Sequence, residues 1–322
     1  MLFNLFSVDR LFFGALLTRR RNSFFRDKFK KEFLLDTEHR DLIMKKRLKN
    51  LLDQIPYKVP YYFPFKTSLK ETTIENVEDL LKKLPIISKK KLLENFEQFK
   101  NNDFINQLSY VKTNGSLGPS LFYCYDKQGV DISSAITHTC QEIRFGKKVN
   151  YHEYISGEGN PTFRENIREI CKRWILKKTI QVLPIASNYN DFDDDLLPKT
   201  NSKRYVLQGH ASTIKLLAKY LSSNEKKFLS NCAAIETTGE LLTKFDRNFI
   251  ESELEVSIVD RYGLAEAGVV AYQLNKNTNF LKIIDTLFYV EVDQNKSIIV
   301  TSLTNYGMPL IRYDTGDKGE II

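Results

Sequence analysis

Residues 113–118 have the composition of a loop that binds phosphate. Thr113, Gly115, Ser116 and Gly118 combine hydroxyls with glycines, so backbone N–H groups could converge on phosphate oxygens while the hydroxyls assist. An ordinary hairpin loop explains the same short pattern. Taken alone, a short Gly/Ser pattern is more often such a loop than a phosphate-binding loop. The segment lacks the Gly-Lys-Ser/Thr ending of a P-loop, which argues against a P-loop kinase or ATPase.

A second segment places an aromatic ring and a carboxylate after a predicted strand, Val256–Asp260. Tyr262, Gly263 and Glu266 follow that strand. Open α/β sheets hold their ligands at the carboxyl ends of strands, so we expect Tyr262 and Gly263 in a loop at this edge. The Tyr ring could stack on adenine, and Glu266 could hold Mg²⁺ bridging phosphates. A loop with an inward-packed Tyr and a solvated Glu is equally compatible with these residues.

A third segment, Thr315-Gly316-Asp317, offers a carboxylate that could accept hydrogen bonds from ribose hydroxyls. It closes a longer stretch, residues 301–317, that reads Thr-Ser-Leu-Thr-Asn-Tyr-Gly-Met-Pro-Leu-Ile-Arg-Tyr-Asp-Thr-Gly-Asp. This stretch closely resembles the adenylate-forming ligases, specifically the branch of phenylacetate–coenzyme A ligase and CapK-type capsular polysaccharide biosynthesis proteins. Residues 84–89, 208–212 and 238–241 resemble further segments of that branch in the same order. The resemblance therefore covers most of the chain.

The resemblance implies a role for each matching residue. The phosphates would be faced by Thr113, Gly115, Ser116 and Gly118, and the adenine by Gly239, Glu240, Tyr262 and Gly263. The ribose hydroxyls would bind Asp317, and the substrate would lie beside His210, Ala211 and Ser212. Glu266, the catalytic residue, would hold the metal. In this family a carboxylate attacks the α-phosphorus of ATP to give an acyl-adenylate and pyrophosphate, and a thiol then usually takes the acyl group.

The family also implies cofactors and partners. We expect ATP and Mg²⁺ as cofactors and a small-molecule carboxylate as substrate. The family's C-terminal lid domain would begin just beyond Ile322, so we expect that domain to be absent and the activity to be impaired by the truncation. Coenzyme A or another thiol would serve as acceptor only where a lid is supplied, for example as a separately encoded domain. Leu117 and Pro119 stand where the family usually has Thr and Lys. The alternative is a catalytically degenerate nucleotide-binding or scaffold protein with the same fold.

The pattern of elements agrees with an α/β fold of this type. Met44, Leu48, Leu51, Leu52 and Ile55 recur at helical spacing, up to the break at Pro56 and Pro60, and residues 1–100 are predicted to be a helical region. Residues 101–280 alternate predicted strands and helices, which indicates a mostly parallel sheet with helices on its faces and a nucleotide-binding body. The strands predicted at 286–293 and 297–302 flank a turn and form a hairpin, so residues 281–322 are expected to be a small β subdomain ending at the ribose motif.

Composition sets the remaining expectations. The 322 residues carry 48 basic and 40 acidic side chains, and anionic small molecules or a membrane surface explain this mild net charge of +8 as well as nucleic acid does. We expect no nucleic-acid partner. The cysteines are few and widely spaced, which fits a reducing cytoplasm. Residues 1–21 combine an apolar stripe with Arg19–Arg21, so a peripheral membrane contact is one expectation, although such a helix more often packs on its own domain.

Overall fold

The structure is a computed structural model that describes residues 22–112, 122–146, 150–157, 178–184, 204–221 and 227–322. The candidate phosphate residues Thr113, Gly115, Ser116 and Gly118 lie outside the described residues. The same is true of residues 1–21, for which a membrane contact was expected. It is also true of residues 167–177, one of the helical stretches that the alternating pattern predicts within residues 101–280.

Seven helices are described. They are α1 (residues 22–33), α2 (Thr37–Lys58), α3 (Val77–Lys82), α4 (Lys89–Glu94), α5 (Lys127–Phe145), α6 (Ala211–Leu221) and α7 (Lys244–Leu254), with 3-10 helices at Pro60–Phe65, Phe96–Phe99, Ile105–Gln107 and Lys227–Asn231. No helix among the described residues is long and apolar enough to cross a membrane.

Twelve strands are described. They are β1 (Ser109–Lys112), β2 (Phe122–Tyr125), β3 (Asn150–Gly157), β4 (Lys178–Pro184), β5 (Tyr205–Gly209), β6 (Cys232–Thr237), β7 (Ile258–Leu264), β8 (Gly268–Tyr272), β9 (Lys282–Ile283), β10 (Phe288–Val292), β11 (Ser297–Ser302) and β12 (Tyr313–Lys318). They form a seven-stranded sheet of order β4-β3-β5-β6-β7-β8-β9, a three-stranded sheet β10-β11-β12 and a β1-β2 pair.

The chain divides into two compact units. Of the described residues, unit one takes 22–24 and those within His138–Tyr262 and Ala271–Lys282, whereas unit two takes those within Phe25–Thr137, Gly263–Val270 and Ile283–Ile322.

Unit one is built on parallel strands. The pairs β4-β3, β3-β5, β5-β6 and β6-β7 are all parallel, so their carboxyl ends lie at one edge of the sheet. Helices α6 and α7 bury Ile214, Leu217, Ile250 and Leu254 against strand residues such as Ile235. The predicted α/β architecture with a mostly parallel sheet is therefore confirmed, and α6 and α7, which connect parallel strands, each turn one apolar face to the sheet.

The core of unit two surrounds α2. Met44, Leu48, Leu51, Leu52 and Ile55 are all buried, as their helical spacing predicts. The predicted break at Pro56 is wrong, because α2 continues through this proline to Lys58. Pro56 has no N–H to donate, but only two helical residues follow it, and the Val59 N–H still donates to the Ile55 carbonyl at 3.0 Å. The Ser88 hydroxyl caps α4 by accepting a hydrogen bond from the Lys91 N–H.

The C-terminal part of unit two forms antiparallel β structure. Strands β10 and β11 pair from Phe288↔Ser302 to Val292↔Ile298, which confirms the predicted hairpin. Strand β12 then pairs with β11 and carries the Tyr-Asp-Thr-Gly-Asp motif. A parallel bridge joins Tyr313 to Ile87, so the motif is held from both sides.

Candidate nucleotide site

Two predicted site segments meet at the carboxyl edge of the unit-one sheet. Strand β5 ends at Gly209 and β6 at Thr237, and these two residues are register partners. The residues that follow, His210–Ser212 and Thr238–Glu240, therefore emerge side by side. The Thr238 N–H donates to the Gly209 carbonyl at 3.2 Å and joins the two segments directly. The edge is where open α/β sheets bind ligands.

Glu240 contacts the first turn of α6. Its carboxylate accepts one hydrogen bond from the Ser212 backbone N–H at 2.9 Å and another from the Ser212 hydroxyl at 3.0 Å. His210 Nδ1 lies 3.7 Å from Glu240 Oε1. A carboxylate at a helix N-terminus satisfies N–H groups that have no partner within the helix and interacts favourably with the helix dipole. The predicted substrate-side and adenine-side residues thus form one cluster.

Gly239 is required where it lies. Its φ of +76° is in the left-handed region, and a Cβ added there would stand 2.7 Å from His210 Cε1. The absence of a side chain therefore lets the imidazole ring pack directly over the turn.

Tyr262 and Gly263 were predicted to lie in a loop after a strand ending at Asp260, and this is wrong. Both residues are inside β7, which continues to Leu264 after its last parallel pair, Thr237↔Asp260. The extension has a physical reason in unit two: a Cβ on Gly263 would meet the Gly268 carbonyl oxygen at 2.9 Å, so glycine permits the close backbone approach of β8.

A buried ion pair lies beneath this edge in unit one. Glu236 has no exposed surface, and its Oε1 is 3.0 Å from Arg261 Nη1. Its other oxygen, Oε2, accepts hydrogen bonds from Gln141 Nε2 at 2.8 Å and the Tyr272 hydroxyl at 2.7 Å. Glu236 precedes the Thr238–Glu240 turn and Arg261 precedes Tyr262, so this pair ties together the strand ends that carry two predicted site segments.

Asp260 links the same two strands. The Thr237 hydroxyl and the Arg261 backbone N–H both donate to its Oδ1, at 2.8 and 2.9 Å. Burial raises the pKa of Asp260, and this outweighs the opposing effects of the Thr237 hydrogen bond and of the Arg247 charge.

Glu266, the predicted metal ligand, lies in unit two within the turn that follows β7. Glu266 is 8% exposed, and its Oε1 accepts a hydrogen bond from the Tyr313 hydroxyl at 3.3 Å. The Tyr125 hydroxyl donates to the neighbouring Ala265 carbonyl at 2.7 Å. Burial and then the nearby Glu266 carboxylate raise the pKa of Tyr125.

The donor chemistry around Glu266 fits Mg²⁺. Its Oε2 has no hydrogen-bond partner among the residues that the structure describes, and no group of three or more potential metal-ligating side chains occurs among them. Mg²⁺ is usually held by one or two carboxylates together with substrate phosphates and water. A single carboxylate with one uncommitted oxygen is therefore sufficient for a metal that arrives with a nucleotide.

The Asn305–Met308 part of the resembling stretch has a structural role. Asp126 Oδ2 accepts the backbone N–H groups of Tyr306 and Gly307 at 2.7 and 2.9 Å. Asn305 Nδ2 donates to the Tyr123 hydroxyl and the Cys124 carbonyl, both at 2.8 Å. These bonds fix the chain path that leads to β12.

Arg312 anchors the start of the Tyr-Asp-Thr-Gly-Asp motif. Its guanidinium donates twice to the Glu291 carboxylate, each at 3.0 Å, and to the Lys82 and Leu84 carbonyls at 2.9 and 2.8 Å. Farther along β12, Asp317 is exposed, and its backbone N–H donates to the Thr315 hydroxyl at 3.1 Å. The carboxylate of Asp317 is thus presented on the surface of unit two.

Sequence reasoning missed the residues that support the predicted ones. Tyr125, Tyr313, Glu236 and Arg261 carry no motif signal by themselves, since a buried tyrosine or an ion pair is recognised by its contacts. One signal was present: Tyr313 and Arg261 each lie directly inside a segment already singled out.

Comparison with known proteins was informative at the level of structure. No protein-family model matches the chain, and no curated protein matches it in sequence. A crystal structure of 2-hydroxyisobutyryl-CoA ligase in an open conformation, in complex with 2-HIB-AMP and CoA, matches with a TM-score of 0.64 and 14% identity, covering 88% of this chain and 70% of that one. The same ligase in the postadenylation state with R3-HIB-AMP matches with a TM-score of 0.64 and 13% identity, covering 88% and 63%.

A third structure of that ligase, in the thioesterification state, gives a TM-score of 0.62 at 14% identity, with 88% and 64% covered. The chain therefore spans 63% to 70% of the length of these structures. The likeness confirms the predicted fold class: this chain has the fold of the large N-terminal domain of adenylate-forming ligases.

Proposed function

We propose that this protein binds ATP with Mg²⁺ and activates a carboxylic acid as its acyl-adenylate. The observation that carries the proposal is Glu266: a nearly buried carboxylate, anchored at one oxygen and uncommitted at the other, in the Tyr-Gly-Leu-Ala-Glu segment of a chain with this fold. Solved structures of the same fold include a ligase with a bound acyl-AMP and CoA.

The reaction forms a bond between a substrate carboxylate oxygen and the α-phosphorus of ATP. The bond from that phosphorus to the bridging oxygen breaks, and pyrophosphate leaves with the electron pair. Two anions must approach each other, so positioning and charge neutralisation are the main requirements. Mg²⁺ held by Glu266 would neutralise phosphate charge. In our proposal Tyr262 stacks on adenine and Asp317 accepts hydrogen bonds from ribose hydroxyls.

The finer assignment rests on the motif resemblance. We propose a phenylacetate–coenzyme A ligase or capsular polysaccharide type of enzyme, with a small organic acid as substrate and coenzyme A or another thiol as acceptor. Cys124, Cys140 and Cys232 are free thiols, which supports a reducing, cytoplasmic setting.

A second candidate is a nucleotide-binding protein with the same fold that no longer catalyses. One observation favours it: Pro119 stands where the resembling family usually has a lysine, so one cation is lost from the phosphate loop. Loss of one preorganised charged group costs about 10²- to 10³-fold in rate.

Calorimetry of ATP binding, with Mg²⁺ and with chelator, tests the proposal together with pyrophosphate exchange over a panel of aryl and aliphatic acids. We expect ATP binding that depends on Mg²⁺. Glu266→Gln should abolish this Mg²⁺ dependence, and Asp317→Ala should weaken ATP binding by roughly 1–3 kcal/mol. The exposed Glu94→Gln is the matched control and should bind like the wild type. Binding with exchange supports the ligase, and binding without exchange supports the second candidate. The absence of binding at millimolar ATP would exclude both.

A further inference from the structure

Two tyrosine hydroxyls in unit two hold the turn that carries Glu266. The Tyr125 hydroxyl donates to the Ala265 carbonyl at 2.7 Å, and the Tyr313 hydroxyl donates to Glu266 Oε1 at 3.3 Å. One bond fixes the backbone immediately before Glu266, and the other reaches its carboxylate. Backbone and side chain are thus restrained by different elements, β2 and β12.

Both rings are themselves immobilised. Tyr313 is 2% exposed and Tyr125 6% exposed. Tyr123 packs edge-on against Tyr125, with ring centroids 5.0 Å apart. On β12, the Ile87 N–H donates to the Arg312 carbonyl at 2.8 Å and the Asp314 N–H to the Ile87 carbonyl at 2.9 Å, one on each side of Tyr313. The hydroxyls therefore occupy defined positions before any ligand arrives.

The arrangement selects one orientation of the Glu266 carboxylate. Oε1 accepts the hydrogen bond from the neutral Tyr313 hydroxyl, and Oε2 has no hydrogen-bond partner among the described residues. Groups that hydrogen-bond a metal-binding carboxylate orient it, and removing them typically costs about 10- to 100-fold in metal affinity. A glutamate that rotates freely loses side-chain conformational entropy when it binds a metal. The hydrogen bond from Tyr313 already restricts Glu266, so less entropy is lost on metal binding.

We propose that Tyr313 is a positioning residue that orients Glu266 toward the Mg²⁺ of a bound nucleotide, with Tyr125 holding the backbone of the same turn. The inference rests on the proposed Mg²⁺–ATP function and adds to it a residue from the ribose motif. Tyr313 thereby couples the segment that carries Asp317 to the metal ligand within one unit.

Tyr313→Phe tests the proposal, because it keeps the buried ring and removes only the hydroxyl. Calorimetry with ATP is run with Mg²⁺ and with chelator, and the ratio of the two affinities is the readout. We expect the Mg²⁺ enhancement to fall about tenfold in Tyr313→Phe while affinity in chelator is unchanged. Tyr62→Phe is the matched control: Tyr62 is fully buried in the same core, and its hydroxyl lies beside the Ile311 backbone. It should retain the wild-type ratio.

The outcomes separate this inference from the proposed function. If the wild type fails to bind ATP, the proposed function fails and the inference fails with it. If the wild type shows Mg²⁺ enhancement and Tyr313→Phe shows the same enhancement, the function stands and the inference is overturned. An equal loss with Mg²⁺ and with chelator would reveal a purely structural role and would also overturn it. Tyr125→Phe is the second variant should Tyr313→Phe not fold, and a smaller selective loss of the Mg²⁺ enhancement is expected.

Discussion

The carboxylate of Glu240 accepts hydrogen bonds from both the backbone N–H and the hydroxyl of Ser212, at 2.9 and 3.0 Å. Two segments far apart in the chain are thereby joined where α6 begins. The resemblance assigned Glu240 to the adenine and Ser212 to the substrate. Their contact links the turn after β6 to the first turn of α6, so we expect the two segments to move together.

Glu240→Ala should destabilise the protein by about 1 kcal/mol, because it removes a charge-assisted cap from the first turn of α6. Ser212→Ala should cost less, since its backbone N–H can still donate to Glu240. Urea unfolding of both single variants and the double variant gives the coupling between the two side chains. Strictly additive losses would mean that the hydroxyl bond contributes nothing in solution.

Gly239→Ala should destabilise by more than a backbone effect alone. A non-glycine residue at the left-handed φ of +76° costs about 1–2 kcal/mol, and the added Cβ must also displace the His210 ring. His210→Ala removes the obstructing ring, so Gly239→Ala should cost less in that background. Thermal melting of the four proteins measures the difference, and an identical cost in both backgrounds would show that the ring does not pack over the turn.

Arg261→Met should be among the most damaging substitutions in unit one. It leaves the fully buried Glu236 carboxylate without its cation, and breaking a buried pair from one side costs about 3–5 kcal/mol. The double variant Glu236→Gln/Arg261→Met should recover most of that loss, because the new amide oxygen carries no charge and can still accept a hydrogen bond from Gln141 or Tyr272.

Lys215→Met provides the control for the buried pair. Lys215 pairs with Asp246 nearer the surface, where such pairs contribute about 0–1 kcal/mol. Urea midpoints of these variants rank the two pairs. A double variant no more stable than Arg261→Met would show that the arginine matters through packing rather than charge.

The elements of this fold were largely predictable from local sequence. The spacing of Met44 and Leu48, the Ser88 cap and the turn at residues 294–296 each act over a few residues, so their signals are complete within a short window. The positions of Tyr262 and Gly263 were not predictable, because β7 is prolonged where the Gly263 backbone closely approaches β8, and the residues of the predicted strand do not reveal that approach.

The candidate site was predictable as a set of residues and much less as a set of contacts. Glu266 follows from its motif, whereas its hydrogen bond from Tyr313 joins residues 47 positions apart. Glu236 and Gln141 are separated by 95 positions. Such pairs depend on the order of strands in the sheets, which no local pattern encodes.

Asp260 provides a test of the electrostatics at the carboxyl edge of the unit-one sheet. Burial raises its pKa in the folded protein above the ordinary value of 3.8. The folded state therefore binds this proton more tightly than the unfolded state, and stability decreases as pH rises from the unfolded value through the folded pKa. The penalty of the buried charge therefore increases as pH rises above the unfolded value, and each tenfold difference in proton affinity between the two states corresponds to about 1.4 kcal/mol.

Asp260→Asn should thus be more stable than the wild type at pH 7, because an amide oxygen can still accept from Thr237 and the Arg261 N–H without carrying charge. The advantage should shrink steadily as pH falls to about 4 and below, because the aspartic acid becomes protonated in both states. Asp293→Asn is a control of opposite sign: backbone N–H groups of Ser297 and Asn295 hold the pKa of Asp293 below its usual value, so its replacement should lower stability at pH 7. Urea midpoints of the three proteins between about pH 3.5 and pH 7.5 measure both trends. A wild type that equals or exceeds Asp260→Asn at pH 7 would mean that the hydrogen bonds to the carboxylate outweigh the cost of burying it.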